Sequence, residues 1–263
     1  MTEIQQGSDE WFGARHQLIT GTLIDTILKS SPTTKTYYQA AVDKASYGQT
    51  KIFFDSNACR HGRLFEPVAK CIWSYKHRQR IFDTGILIHK DYPILGASPD
   101  GITENGKLIE IKCPYTRVIG QNKTSSQYES QVQMELACSK YNECSFVEAK
   151  FTRYTEEEFW DSFDTNSEIQ GIIIGDKVSP IELSNSYSLK TWFNTEYCQD
   201  CDRSPVFWRL EVWTERIIKK DEEWFNKTDL INKCKEFWDL VLRLRVEQPW
   251  LKSLKRPVIC LLD

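Results

Sequence analysis

The sequence predicts an α/β protein, a mixed sheet flanked by helices. Two patterns point to it. Some segments carry apolar residues at spacings of three and four, others are short apolar runs between turn signals. They follow one another as helix, strands, helix, strand and closing helix. The chain has 263 residues, 40% hydrophobic and 13% aromatic with nine Trp, enough for a substantial core. That length suits a single α/β unit carrying insertions. No internal repeat, low-complexity run or Pro/Gly/Ser-rich linker divides it.

Residues 22–28 and 35–47 read as short helices, the second after a Ser31-Pro32 start signal. In residues 57–77, Leu64, Phe65, Val68, Ala69, Ile72 and Trp73 form one helical face for burial. Pro67 is expected to start or kink that helix near Glu66. Residues 81–88, 94–97 and 107–112 read as strands. Residues 126–139 read as a helix with Val132, Leu136 and Ala137 on one face, and 144–151 as a further strand. Residues 155–204 read as polar and irregular, and 205–213 as extended. Residues 229–246 are strongly amphipathic, with Leu230, Ile231, Phe237, Trp238, Val241 and Leu242 on one side.

Composition excludes several classes. No apolar run approaches the ~20 residues that span a bilayer, so no membrane association is expected. Residues 1–9 are polar, so no secretory signal is expected either. Nine cysteines without framework spacing predict reduced thiols in a cytoplasmic or nuclear compartment, not secretion. A formal net charge of −3 argues against a protein that coats nucleic acid, though not against a local grip on it. Cys198-x-x-Cys201 lacks the closely spaced third cysteine of a cluster site and is weak evidence for metal. His16, His61, His77 and His89 show no ligand spacing and read as structural or exposed. Asn122-Lys123-Thr124 matches a glycosylation sequon that a chain without a secretory signal would not present.

The most informative stretch is 96–114: Gly-Ala-Ser-Pro-Asp-Gly, then Lys-Leu-Ile-Glu-Ile-Lys-Cys-Pro. Side chains alternate along a strand, so Glu110 and Lys112 share one face and Ile109 and Ile111 the other. A hairpin would return Asp100 toward Glu110. Two carboxylates and an ammonium then converge, the minimal kit for holding a hard divalent cation beside a phosphodiester. The same residues also suit an ordinary surface hairpin. Asp100-Gly101 and Asn105-Gly106 are turn signals, and Glu110 with Lys112 fits the solvated face of an edge strand.

Pro99-Asp100 with Glu110-Ile111-Lys112 matches the PD-(D/E)xK nuclease signature. More narrowly, the chain resembles the phage lambda exonuclease and YqaJ-type viral recombinase family. The matching residues are Gln6-Gly7-Ser8-Asp9-Glu10-Trp11 with Arg15, Ile19-Thr20-Gly21-Thr22, His61-Gly62 with Glu66, and Ser98 to Gly101. Glu110 to Pro114 and Gln131-Val132-Gln133 complete an ordered set. The resemblance implies one nuclease domain over 1–263: a restriction-endonuclease-like core over about 4–153, an insertion over about 155–204, and a closing strand and helical extension over 205–263.

It also implies roles. Asp100 and Glu110 would be central metal ligands, with the Ile111 carbonyl a further donor and Glu66 completing one shell or supporting a second metal. An all-oxygen set suits Mg²⁺ or Mn²⁺ rather than zinc. Lys112 would orient or help deprotonate the attacking water and offset charge on phosphorus. Gln131 would hydrogen-bond that water or a phosphate; its plain alternative is a helix-surface amide, as a surface glutamate is for Glu66. Arg15, Thr22 and Ser98 would receive a terminal 5′-phosphate. Their alternatives are a surface salt bridge for Arg15, a helix N-cap for Thr20 or Thr22, and a turn position for Ser98.

The activity implied is Mg²⁺-dependent 5′→3′ exodeoxyribonuclease action on double-stranded DNA ends. It would leave 3′ overhangs for viral or phage recombination, repair or genome processing, with a single-strand annealing protein as a partner. Family members can form rings around DNA, so a homo-oligomer is among the assemblies implied. A structure-specific or non-specific endonuclease on the same core is the alternative enzyme. A catalytically idle DNA-end-binding protein is the alternative class, against which intact Asp100, Glu110 and Lys112 speak. Trp224, Phe225, Phe237 and Trp238 read as core or subunit interface rather than as a base-stacking platform.

Overall fold

The structure is a computed structural model that describes residues 7–48, 55–120, 125–163, 169–183, 185–199 and 204–254. Its first half runs α1 (Asp9–His16), β1 (Ile19–Thr20), α2 (Gly21–Lys29), α3 (Lys35–Ala45), α4 (Asn57–His77), β2 (Ile81–Phe82), β3 (Leu87–Ile88), β4 (Leu95–Ala97), β5 (Gly101–Thr103) and β6 (Leu108–Lys112). The second half runs α5 (Ser126–Ala137), β7 (Glu143–Tyr154), α6 (Glu156–Asp161), β8 (Gln170–Ile174), β9 (Lys177–Val178), α7 (Ser186–Gln199), β10 (Val206–Lys219), α8 (Trp224–Thr228), α9 (Leu230–Glu247) and α10 (Pro249–Leu254).

The predicted mixed sheet is present, with the order β2-β5-β6-β7-β10-β8-β9. Its pairs are antiparallel except β6 with β7, which run parallel in a register that sets Glu110 opposite Phe146. Such a crossover needs a helix, and α5 supplies it. A small second sheet joins β1, β4 and β3.

One face of the large sheet carries Ile109, Ile111, Val147, Ala149, Phe151 and Trp208, and α4 covers it with Phe65, Val68, Ala69, Ile72 and Trp73. Phe65 stacks on Phe151 at 4.6 Å between centroids. On the other face Leu108, Cys144 and Phe146 meet Val132 and Leu136 of α5. The helices α2, α3 and α9 build a further core around Ile24, Tyr37 and Phe237, with Trp224, Phe225 and Trp238 packed against it. The C-terminal aromatics thus serve the core, as anticipated.

Three expectations are corrected. Pro67 does not start α4, which begins at Asn57 under a Ser56 cap and passes through Pro67. The missing N–H forgoes one bond to the Arg63 carbonyl, while the buried face around Pro67 holds the helix in place. The single strand expected over 81–88 is two, β2 in the large sheet and β3 in the small one. The described residues of 155–204 are not irregular. A Thr155–Glu158 capping box starts α6, and β8 pairs with β10 at the far side of the sheet. Phe159, Ile172, Ile174, Leu189, Phe193 and Phe207 form their own core. The many polar residues between these apolar positions hid that pattern.

Among the described residues no helix is long and apolar enough to cross a membrane. Because Phe159 is fully buried beside Phe207, Phe159→Ala is expected to lower stability by about 3–5 kcal/mol. Urea unfolding measures this, and a surface-loop aromatic would show almost no change.

Candidate active site

The site is built on the β5–β6 hairpin. Gly101 pairs with Ile109, and Gly106 closes the turn at φ 80°, a conformation that suits a residue without Cβ. The Asp100 carboxylate reaches across, its Oδ2 accepting the Ile111 N–H at 2.7 Å. Gly101 also allows β2 to lie alongside, since a Cβ there would stand 2.4 Å from Ile81 Cγ2. Just before β5, the Pro99 carbonyl accepts from Thr84 Oγ1 at 3.1 Å.

Glu110 points to the α5 side, as strand alternation requires, and is 1% exposed. Lys112 Nζ donates to Glu110 Oε1, and Gln131 Nε2 donates to the same oxygen at 2.6 Å. Gln131 also reaches Glu135 Oε1 at 2.9 Å. It is placed by a close helix contact: a Cβ on Gly21 would lie 3.1 Å from Gln131 Cγ. That contact explains a glycine at the first position of α2. Glu66 approaches from α4, where Lys70 one turn on holds it at 3.2 Å.

The structure therefore brings Asp100, Glu110, Lys112, Gln131 and Glu66 around one point, and Ile111 ties the two strands through its N–H. Sequence reasoning missed Glu135, 1% exposed, and Lys70. Both were signalled by spacing, four residues beyond Gln131 and Glu66 respectively. It also missed Tyr128, whose ring lies 5.3 Å from Lys112 Nζ and 5.4 Å from the Arg117 guanidinium. Buried Glu148 clamps Arg117 and Arg216, each at 2.6 Å, beside this ring.

Carboxylates exceed cations here. Burial, then the Glu110 charge, pushes Asp100 up to about 7. Burial and then Asp100 raise Glu66; burial and then Glu110 raise Glu135 well above the ordinary value. Burial opposes the Lys112 ammonium, yet Glu110 and Asp100 together hold its pKa above that of a free lysine. Among the described residues Glu110 Oε2 and Glu135 Oε2 are buried with no hydrogen-bond partner, a state that is unfavourable unless a cation or water meets them. Buried oxygen donors with this excess of negative charge fit a hard divalent cation. Among the described residues, however, no three of His, Cys, Asp and Glu close into a complete metal shell. Glu66 is engaged by Lys70, and Glu110 by Lys112 and Gln131.

Arg15 and Thr22 line a cavity of about 640 Å³ between α1, α2 and α3, together with Thr20 and Lys35. The Arg15 guanidinium lies over the Trp11 ring, 4.2 Å from its centroid, and forms no salt bridge among the described residues. Burial lowers its pKa, and the Glu110 charge opposes that shift, which sets Arg15 near the carboxylates. Thr20 is the N-cap of α2 but makes no side-chain cap bond; its hydroxyl lies 3.2 Å from that of Thr22. Ser98 does not line the cavity. It accepts the Trp11 Nε1–H at 3.2 Å and so adjoins Arg15 through the indole. Gln6, Cys201, residues 122–124 and the side chain of Cys198 lie outside the described residues.

A mixed sheet that carries Asp, Glu and Lys on one hairpin, beneath a helix bearing Glu, defines the PD-(D/E)xK nuclease fold class. The structure resembles that of the alkaline exonuclease LHK-Exo from Laribacter hongkongensis, with TM-score 0.58 and 17% identity over 93% of this chain and 100% of that one. The dAMP complex of that exonuclease gives 0.59 and 18%. A phage-related exonuclease from Haemophilus somnus 129PT gives 0.50 and 14%, over 93% and 99% of the two chains. These likenesses establish the fold. The YqaJ-like viral recombinase domain matches residues 10–142, and the chain belongs to that family. An uncharacterised protein of Acanthamoeba polyphaga mimivirus is 24% identical over 96% of this chain and 55% of its own length. A protein of African swine fever virus is 30% identical over 51% of this chain and 46% of its own length. The chain spans about half the length of these curated relatives.

The raised Asp100 pKa has a consequence for stability. A carboxyl that holds its proton more tightly folded than unfolded favours folding fully below the unfolded value of 3.8, and that contribution fades as pH rises to about 7. Asp100→Asn keeps an oxygen for the Ile111 N–H and removes the charge. Without divalent metal it is expected to be more stable than the parent at pH 8, on the order of 2 kcal/mol. The gap should close toward pH 4, as urea titrations at both pH values would show.

Proposed function

We propose that this chain is a metal-dependent deoxyribonuclease that digests linear duplex DNA from its 5′ ends and leaves 3′ overhangs. The observation that carries the reading is the convergence of Asp100, Glu110 and Lys112, joined by Gln131, on one buried hairpin. A protein that only bound DNA would gain nothing from carboxylates turned toward phosphate. Membership of a viral recombinase family supports a place in recombination, repair or genome processing inside the host cell, in cytoplasm or nucleus. A single-strand annealing partner and a ring of subunits are part of the same proposal. All proposed catalytic groups come from residues 4–153, and β8 and β10 extend the same sheet. That continuity supports reading 1–263 as a single nuclease domain.

Asp100, Glu110 and the Ile111 carbonyl would hold Mg²⁺ or Mn²⁺, with Glu66 joining on release from Lys70. The bound ion would supply Lewis acidity at the phosphoryl oxygen and lower the pKa of the attacking water. Lys112, kept protonated by its neighbours, orients that water and offsets charge growing on phosphorus. Gln131, anchored by Glu110 and Glu135, keeps the Glu110 carboxylate in one orientation and presents an amide to water or phosphate. Arg15 and the Thr20–Thr22 hydroxyl pair would take the terminal 5′-phosphate, positioning the next phosphodiester over the carboxylates. Ser98 enters this pocket by orienting Trp11, on which Arg15 rests, and not as a direct contact.

In purified, folded Asp100→Ala or Glu110→Ala, release of nucleotides from end-labelled duplex in Mg²⁺ should vanish while DNA binding persists or tightens. EDTA should stop the parent enzyme. Near-normal turnover in Asp100→Ala would remove the assignment, and equal digestion of covalently closed circles would make the enzyme an endonuclease.

The parent should also digest a 5′-phosphorylated end faster than a 5′-hydroxyl end, by roughly ten- to a hundredfold for one charged contact. Arg15→Ala should flatten that difference. Indifference to the end group, or attack from 3′ ends, would overturn the pocket assignment and leave the hydrolytic centre standing.

A further inference from the structure

A second cavity, of about 590 Å³, opens at the N-terminal end of α4 and is distinct from the Arg15 cavity. Its lining includes Asp55, Arg60, His61, Arg63, Tyr115 and Arg153. Three arginines face one carboxylate, and that carboxylate is committed: Asp55 Oδ2 accepts from Arg63 Nη2 at 2.5 Å. Arg60 spends one N–H on Asn57 Oδ1 at 2.6 Å and keeps the rest of its fork. Arg153 lies on the exposed end of β7 and has no acidic partner among the described residues. The cavity is therefore electropositive in a chain whose net charge is negative.

At its floor lies His61, 6% exposed, with neither ring nitrogen hydrogen-bonded among the described residues. Its ring packs 4.6 Å from Phe65 and 5.3 Å from Tyr115. Buried polar atoms are nearly always paired, so an imidazole with two unmet nitrogens in a cavity wall marks a place for a ligand. Burial, and then the Arg153 charge, lowers the pKa of the ring, which favours the neutral form with one donor and one acceptor. Tyr115 adds an aromatic ring that is 47% exposed. Arginine forks suit phosphate, and an exposed ring suits a nucleobase.

We propose that this cavity is a nucleotide-binding subsite, with phosphate on Arg60 and Arg153, a polar edge of the nucleotide on His61, and the base against Tyr115. Its position follows from chain geometry. His61 precedes Glu66 by five residues on α4, roughly 7.5 Å of axial rise, and Tyr115 follows Lys112 by three. The occupant adjoins the nucleotide at the carboxylate cluster, and taking it to come from DNA rests on the nuclease reading above. Two sources share this chemistry, a nucleotide within a DNA strand and a released mononucleotide.

The test measures binding by the full chain in EDTA, where no cleavage is needed. One arm uses a fluorescent duplex with a single-stranded overhang, followed by anisotropy. The other uses dAMP, followed by calorimetry. Arg60→Ala, Arg153→Ala and Tyr115→Ala replace solvent-accessible side chains, and circular dichroism checks their folding. Each arginine change should weaken the strand arm about tenfold or more and reduce the slope of log K against log salt by roughly 0.7–0.9. Tyr115→Ala should weaken binding without changing the slope. Losses confined to the dAMP arm identify released product as the occupant, and losses confined to the strand arm identify DNA. If the Arg60→Ala/Arg153→Ala double variant binds both probes like the parent, with the same salt slope, the subsite does not exist. If the parent fails to cleave DNA in Mg²⁺ while these losses remain, the nuclease reading falls and the subsite stands.

Discussion

The hydrogen bond from the Ile111 N–H to Asp100 Oδ2 is the contact on which the rest of the site depends. It spans the β5–β6 hairpin and holds the carboxylate that immediately precedes β5 against the strand that carries Glu110 and Lys112. A one-residue slip in that pairing would send Glu110 into the apolar layer beneath α4 and Ile109 or Ile111 toward α5. The register is protected from both sides, by Ile109 and Ile111 against Phe65 and Ile72, and by Leu108 against Val132 and Leu136. Core packing and active-site geometry are therefore one constraint.

The same arrangement concentrates charge where the sheet is driest. Asp100, Glu110 and Glu135 are buried together, with Lys112 and Gln131 as their near partners. Such a cluster opposes folding of the bare protein, because each carboxylate raises the free energy of ionising the next. What offsets it lies elsewhere: the Phe65–Phe151 stack with Trp208 edge-on to it, and the separate cores around Phe237 and Phe159. A cation drawn to the cluster would relieve the repulsion, so stability and metal affinity are coupled.

Around this centre lie two cationic cavities. The Arg15 cavity is gathered from α1, α2 and α3, and the His61 cavity from α4, the segment after β6 and the end of β7. Neither is a basic run in sequence, which is why the net charge of −3 hides both. Local electropositive surface next to a carboxylate centre suits a polyanion that must be held while one of its bonds is opened.

Much was legible in the sequence because it was local. The alternation of Ile109, Glu110, Ile111 and Lys112, the turn glycines, the apolar face of residues 57–77 and the ordered motifs from Ser8 to Gln133 each reflect interactions within a few residues. They determined the mixed sheet, the hairpin and the catalytic candidates. The tertiary structure alone decided what depended on distant partners. It joined the Gln131–Glu135 pair to Glu110, and it set Ser98 against the Trp11 indole and not in the lining of the Arg15 cavity. It built α6, β8, β9 and α7 around a core of Phe159 and Phe207, and it gathered Arg60, His61, Tyr115 and Arg153 into one cavity. The reason is physical: dihedral preference and side-chain periodicity act along the chain, whereas burial, charge coupling and cavities exist only once segments far apart in sequence have packed.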